Sequence, residues 1–153
     1  MSSLNDVARE AIVLMAEDNP AECRLAERAL CQGVLRCNLQ IVPDGEVALD
    51  YLHRRGKFAD PTLSPTPDLV LLDLNMPKID GRQELADIKR DPILKQIPIV
   101  ILTTSKAEQD VIQSYALGCN SFLSKPVDVT GFIEVLKSLG DYWFKLVVLP
   151  PKR

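Results

Sequence analysis

Leu69-Val70-Leu71-Leu72-Asp73 is a run of four apolar residues closing on a carboxylate. It is too short for a buried helix, and its uninterrupted apolar character suits a strand covered on both faces. Three other runs end in the same way. Residues 12–16 lead into Glu17 and Asp18, residues 99–102 into Thr103, and Phe122-Leu123 into Ser124 and Lys125. Helical patterns separate them, so the strands read as parallel. Ligands of an open α/β sheet bind outside the carboxyl ends of its strands. The carboxylates of Asp18 and Asp73, the hydroxyl of Thr103 and the ammonium of Lys125 therefore converge on one crevice. That set of groups suits a hard cation and a phosphoryl group.

Strands are expected at residues 12–16, 39–42, 69–72, 99–103 and 121–124, alternating with five helical patterns. Asn19 is placed to cap the first helix, with Pro20 in its first turn and Glu22 at capping-box spacing. Ala21, Leu25, Ala26, Ala29, Leu30 and Val34 recur at helical period as its apolar face. The turn Asp44-Gly45 opens a second helix that carries Val47, Ala48, Tyr51 and Leu52 inward. Further helices are expected over residues 81–90, 107–117 (stopped by Gly118) and 129–139. Pro61, Pro65 and Pro67 predict a loop without regular structure over residues 56–67, and Pro92 and Pro98 bracket a linker. Strict βα alternation gives a doubly wound α/β sheet with helices on both faces. The acids that end the first and third strands can share a site only if those strands are neighbours. That requirement selects the flavodoxin-like order 2-1-3-4-5.

The chain of 153 residues fits one domain, expected over residues 11–139, with an arm at 1–10 and an apolar extension at 140–153. With 18 basic and 21 acidic residues the net charge is −3, and no basic stripe invites a nucleic acid. No run approaches 18 apolar residues and no signal peptide opens the chain, so a cytoplasmic protein without a membrane span is expected. Cys23, Cys31, Cys37 and Cys119 form no Cys-x-x-Cys pair, and they read as small hydrophobes of a reduced protein. His53, the sole histidine, reads as a solvated surface residue. No glycine-rich phosphate loop follows the first strand, which disfavours a nucleotide-binding module.

Glu17-Asp18-Asn19-Pro20, Leu71-Leu72-Asp73-Leu74-Asn75-Met76-Pro77, Asp80-Gly81, Leu102-Thr103-Thr104 and Lys125-Pro126, taken together, resemble the receiver domain of two-component response regulators. Leu49-Asp50-Tyr51-Leu52 with Arg55-Gly56, and residues 94–105 with Ser114-Tyr115, resemble the small single-domain regulators that partner phytochrome histidine kinases. The resemblance implies that Asp73 accepts a phosphoryl group from a sensor histidine kinase as an acyl phosphate. It implies Mg²⁺, with Mn²⁺ as substitute, held by Asp18 and Asp73, by Glu17 through water, and by the backbone carbonyl of Asn75. Lys125 would pair with the phosphoryl oxygens, and Lys125-Pro126 would form a cis peptide. Thr103 would donate its hydroxyl and couple to Phe122 as the switch. Asn75 and Ser105 would flank the attacking water and tune hydrolysis.

Two other functions compete with this one. A phosphohydrolase with an Asp nucleophile resembles a D-x-D site, but the second acid is replaced here by Asn75, which cannot protonate a leaving group. A scaffold that works without phosphorylation would have no need of Glu17, Asp18, Asp73, Thr103 and Lys125 together. The chain is therefore expected to be a signalling phosphoacceptor rather than an enzyme, assisting its own phosphorylation and dephosphorylation. Only 14 residues follow Leu139, so no output domain is expected. The extension carries Tyr142, Trp143, Phe144 and Leu146 and is too apolar to stand in water. It either folds onto its own domain or pairs with a second copy, and the phytochrome-partner resemblance favours the homodimer.

Overall fold

The computed structural model describes residues 11–31, 37–73, 81–103, 121–124, 129–138 and 140, with the side chains at 30, 31, 81–85, 103, 121 and 124 outside that description. In chain order the elements are β1 (Ala11–Ala16), α1 (Pro20–Cys31), β2 (Cys37–Val42), α2 (Gly45–Leu52), β3 (Leu69–Asp73), α3 (Gly81–Arg90), β4 (Ile99–Thr103), β5 (Ser121–Ser124) and α4 (Val129–Ser138). The five strands form one parallel sheet in the order β2-β1-β3-β4-β5. This is the order that the two strand-end acids demanded. Among the described residues there are four α-helices, and the helix expected at 107–117 lies outside them.

Strand side chains alternate between two covered faces, which is why the strands read as unbroken apolar runs. Val13, Met15, Leu69, Leu71, Val100 and Leu102 face α1 and α4, where Ala26, Ala29, Phe132, Val135 and Leu136 complete one core. Leu14, Ala16, Val70, Leu72, Ile99 and Ile101 face the other way, against Ala48, Leu49, Tyr51 and Leu52 of α2 and Ile88 of α3. Only part of the expected face of α1 is buried. Ala26 and Ala29 enter the core, whereas Ala21 and Leu25 are exposed; the side chain of Leu30, and Val34, lie outside the described residues.

Two connections expected to be irregular contain short 3-10 turns, Gly56–Phe58 and Leu94–Gln96. The first belongs to an ordered loop. The buried Ser64 hydroxyl donates to the carbonyls of Phe58 and Asp60 at 2.6 and 3.0 Å, and Tyr51 Oη donates to Pro65 O at 2.9 Å. Arg54 leaves α2 in the left-handed region (φ 54°) and donates to Ser64 O at 3.3 Å and Thr66 Oγ1 at 3.0 Å. Prolines removed amide donors from this loop, and side chains supply the bonds in their place.

Cys37 is disulfide-bonded, which corrects the reading of four reduced cysteines; Cys23 is a free thiol. The disulfide does not follow Cys-x-x-Cys spacing. Helix α2 begins at Asp44, whose Oδ1 accepts the Val47 amide at 2.9 Å. We expect Asp44→Ala to lower unfolding stability by about 1 kcal/mol in urea denaturation. An unchanged midpoint would show that the cap carries no weight.

Candidate functional site

Sheet register brings the site together. Ala16 pairs with Leu72, so the next residues, Glu17 and Asp73, stand side by side where β1 and β3 end. Asp73 pairs in turn with Leu102, which places Thr103 one residue further along β4. Thr103 pairs with Ser124, the last residue of β5, and Lys125 follows it in sequence. Backbone pairing alone thus directs β1, β3, β4 and β5 to one edge of the sheet. At the opposite end Asp68 clasps Ile12. Its amide donates to Ile12 O at 2.7 Å and its Oδ2 accepts the Ile12 amide at 2.8 Å.

Carboxylate oxygens of Glu17, Asp18 and Asp73 all lie within 4.8 Å of one another. Glu17 and Asp73 are 2% and 3% exposed, and Asp18 faces solvent. The turn carrying the first two is held on several sides. The Glu17 amide donates to Val42 O at 3.0 Å, Glu17 Oε2 accepts the Asn19 amide at 3.1 Å, and Asn19 Oδ1 accepts the amides of Ala21 and Glu22 at 2.9 and 3.1 Å. Asn19 therefore caps α1 and fixes Glu17 at once. Cys23 Sγ donates to Glu17 O at 3.7 Å. Burial pushes its thiol pKa up, and the nearby charges of Glu17 and Asp18 push it further, so it adds no fourth negative charge.

Unit charges about 5 Å apart repel by roughly 3 kcal/mol at an effective dielectric of about 20. Two buried acids beside a third carry that cost unless a cation lies among them. The residues fit such an ion. All the donors are hard oxygens, Glu17 and Asp73 are buried at the strand ends, and the solvent-facing Asp18 leaves room for the waters that Mg²⁺ retains.

Phe122 pairs with Ile101 and packs half-buried against the core beneath α2 and α3. Asn75, Ser105, Lys125, Pro126, Tyr142, Trp143, Phe144 and Leu146 lie outside the described residues, as do the arm and the extension beyond Gly140. Two contributors escaped the sequence reading. The second bond of Asn19 was hidden behind its obvious capping role, and the Val42 carbonyl became visible only once β2 lay beside β1.

The family model of the response regulator receiver domain matches residues 13–137. The chain belongs to this family. Response regulator Rcp1 of Synechocystis sp. is 40% identical over 139 residues, covering 91% of this chain and 92% of Rcp1. The Mn²⁺-bound crystal form of Rcp1 superposes with TM-score 0.69 over 92% of this chain and 99% of that one. The bacteriophytochrome response regulator RtBRR is 36% identical, with TM-score 0.81, and the match covers 94% of this chain and 85% of that one. The phosphorylated cyanobacterial phytochrome response regulator RcpA is 37% identical, with TM-score 0.72 over 94% of this chain and all of that one (100%). Receiver domains hold Mg²⁺ or Mn²⁺ in an acidic pocket, and Glu17, Asp18 and Asp73 form an acidic cluster that could hold such an ion.

Asp18→Asn should weaken Mg²⁺ binding at least tenfold in titration calorimetry, in line with about 1.4 kcal/mol for one lost charged ligand. The same variant should be more stable than wild type in metal-free buffer, because one repulsion is gone. Undiminished Mg²⁺ affinity would remove Asp18 from the metal site.

Proposed function

We propose that this receiver domain is a single-domain response regulator that takes a phosphoryl group onto Asp73 from a phytochrome-like histidine kinase. One observation carries the choice of acceptor. Asp73 is a strand-end acid, 3% exposed, beside two further carboxylates that can share a cation with it. Bound Mg²⁺ supplies the positive charge that lets an anionic donor approach this acidic edge. Glu17 and Asp18 hold that charge in place, and Asn19 keeps their turn rigid.

A carboxylate oxygen of Asp73 forms a P–O bond as the P–N bond of the donor phosphohistidine breaks. The histidine nitrogen leaves with the electron pair and takes up a proton. Thr103 pairs with Ser124, which Lys125 follows in sequence, and this supports a hydroxyl from Thr103 and an ammonium from Lys125 on the phosphoryl oxygens. Register with Ile101 and packing against the α2/α3 core make Phe122 the residue that reports this contact as a change of packing. Asn75 and Ser105 flank the attacking water in this reading and set the lifetime of the acyl phosphate. The domain thus assists its own phosphorylation and dephosphorylation without turning over a separate substrate.

The partner follows from likeness to Rcp1, RcpA and RtBRR, described as phytochrome or bacteriophytochrome regulators in the latter two cases. Among the described residues no helix is long and apolar enough to cross a membrane. We place the reaction in the cytoplasm, without nucleic acid, and assign the apolar segment with Tyr142, Trp143, Phe144 and Leu146 to a homodimer contact.

Incubation with acetyl phosphate and Mg²⁺ should label the protein with an acid-labile, hydroxylamine-sensitive phosphate, and Asp73→Asn should lose at least nine-tenths of that label. Full labelling of the variant would move the acceptor elsewhere. In phosphotransfer against a panel of purified histidine kinases, phytochrome kinases should transfer fastest. Equal rates across the panel would withdraw the partner assignment and leave the acceptor chemistry standing.

A further inference from the structure

Glu17-Asp18-Asn19 carries the chain from β1 into α1, and its first two residues belong to the acidic cluster. Asn19 is exposed and brings no carboxylate, yet its amide, side chain and carbonyl all bond within this stretch. The amide donates to Glu17 Oε2 at 3.1 Å. Oδ1 accepts the amides of Ala21 and Glu22 at 2.9 and 3.1 Å, and the carbonyl accepts the Cys23 amide at 3.0 Å. The first bond reaches back to the cluster, and the other three reach forward into α1. One residue therefore ties an acid of the site to the start of a helix.

We infer that Asn19 is a positioning residue for the divalent cation: its side chain, by capping α1, aims the amide that holds the Glu17 carboxylate in the cluster and so sets how tightly Mg²⁺ binds. This rests on reading Glu17, Asp18 and Asp73 as the residues that hold the ion.

A carboxylate on a flexible stem loses rotamer freedom when it binds an ion, and ordering it beforehand removes that cost from the binding step. Glu17 is ordered at three points. Asn19 holds its carboxylate, Val42 O accepts its amide at 3.0 Å, and Cys23 Sγ donates to its carbonyl at 3.7 Å. Pro20 restrains Asn19 from the other side, because the residue before a proline is kept out of the helical region. That is the backbone conformation a capping residue adopts. Asp18 lies between these two anchored neighbours, so its backbone has little room to carry its carboxylate away. Asp caps a helix as well as Asn does, but at position 19 it would place another negative charge next to Asp18, where carboxylates already repel. Asn supplies the cap without the charge.

A second cap of the same form provides the comparison. Asp91 Oδ1 accepts the amides of Ile93 and Leu94 at 2.8 and 3.0 Å, in the turn leading to β4 at the end of the sheet opposite the cluster. Loss of either cap should destabilise the fold, but only Asn19 bonds a residue of the cluster.

The test is titration calorimetry of the metal-free full chain with Mg²⁺, for wild type, Asn19→Ala, Asn19→Ser and Asp91→Ala. Urea unfolding in metal-free buffer, run alongside, verifies that each variant is folded and ranks their stabilities. Asn19→Ala should bind Mg²⁺ about tenfold more weakly, the scale of groups that orient metal ligands from outside the coordination shell. Asn19→Ser, which restores a capping oxygen, should return the affinity to within about threefold of wild type. Asp91→Ala should lose stability and keep its Mg²⁺ affinity. An unchanged affinity in Asn19→Ala, no recovery with serine, or an equal loss in Asp91→Ala would overturn the role of Asn19. A wild-type chain that binds no Mg²⁺ would instead overturn the cluster as the metal site, and this role with it.

Discussion

Three carboxylates held within 4.8 Å of one another, two of them buried, are the constraint on which the rest of this structure turns. No protein would gain stability from that arrangement alone, since each added negative charge raises the cost of the others. It persists because the backbone over-determines it. The sheet fixes where β1 and β3 end, the Val42 carbonyl and Asn19 fix the turn after β1, and the capped α1 begins at once. A divalent cation entering the cluster lowers the mutual repulsion of the carboxylates, so its binding stabilises the folded state.

Rigidity elsewhere serves the same edge. Each strand buries alternate side chains against two helix layers, and a slip of one residue would exchange the two faces and separate Glu17 from Asp73. The clasp between Asp68 and Ile12 pins the register from the other end of the sheet. The loop after α2, with its Ser64, Tyr51 and Arg54 bonds, delivers the chain to β3 in one conformation. Acid placement at the site is thus a property of the whole sheet rather than of a local loop.

Much of this was readable in the amino-acid order. Apolar runs ending in Asp18, Asp73, Thr103 and Lys125 announced parallel strands, and the need for two acids to meet selected the strand order. β4, β5 and α3 begin and end where expected. Losses came where a residue's role depends on tertiary neighbours. Leu25 follows a helical period and still faces water, because α1 covers its core with alanines. Proline spacing correctly removed strands and α-helices from residues 56–67 but could not reveal that side chains would bond the loop into order. Asp87 and Asp91 come to His53 through long-range pairing with no local signature, and the disulfide of Cys37 does not follow Cys-x-x-Cys spacing.

The central claim is that one divalent ion sits between the ends of β1 and β3. Its most direct measurement is the anomalous diffraction of crystals soaked in Mn²⁺. A single strong peak within coordination distance of Asp18 and Asp73 is the result expected. A fully occupied Mn²⁺ peak elsewhere, with none between those two side chains, would contradict the account.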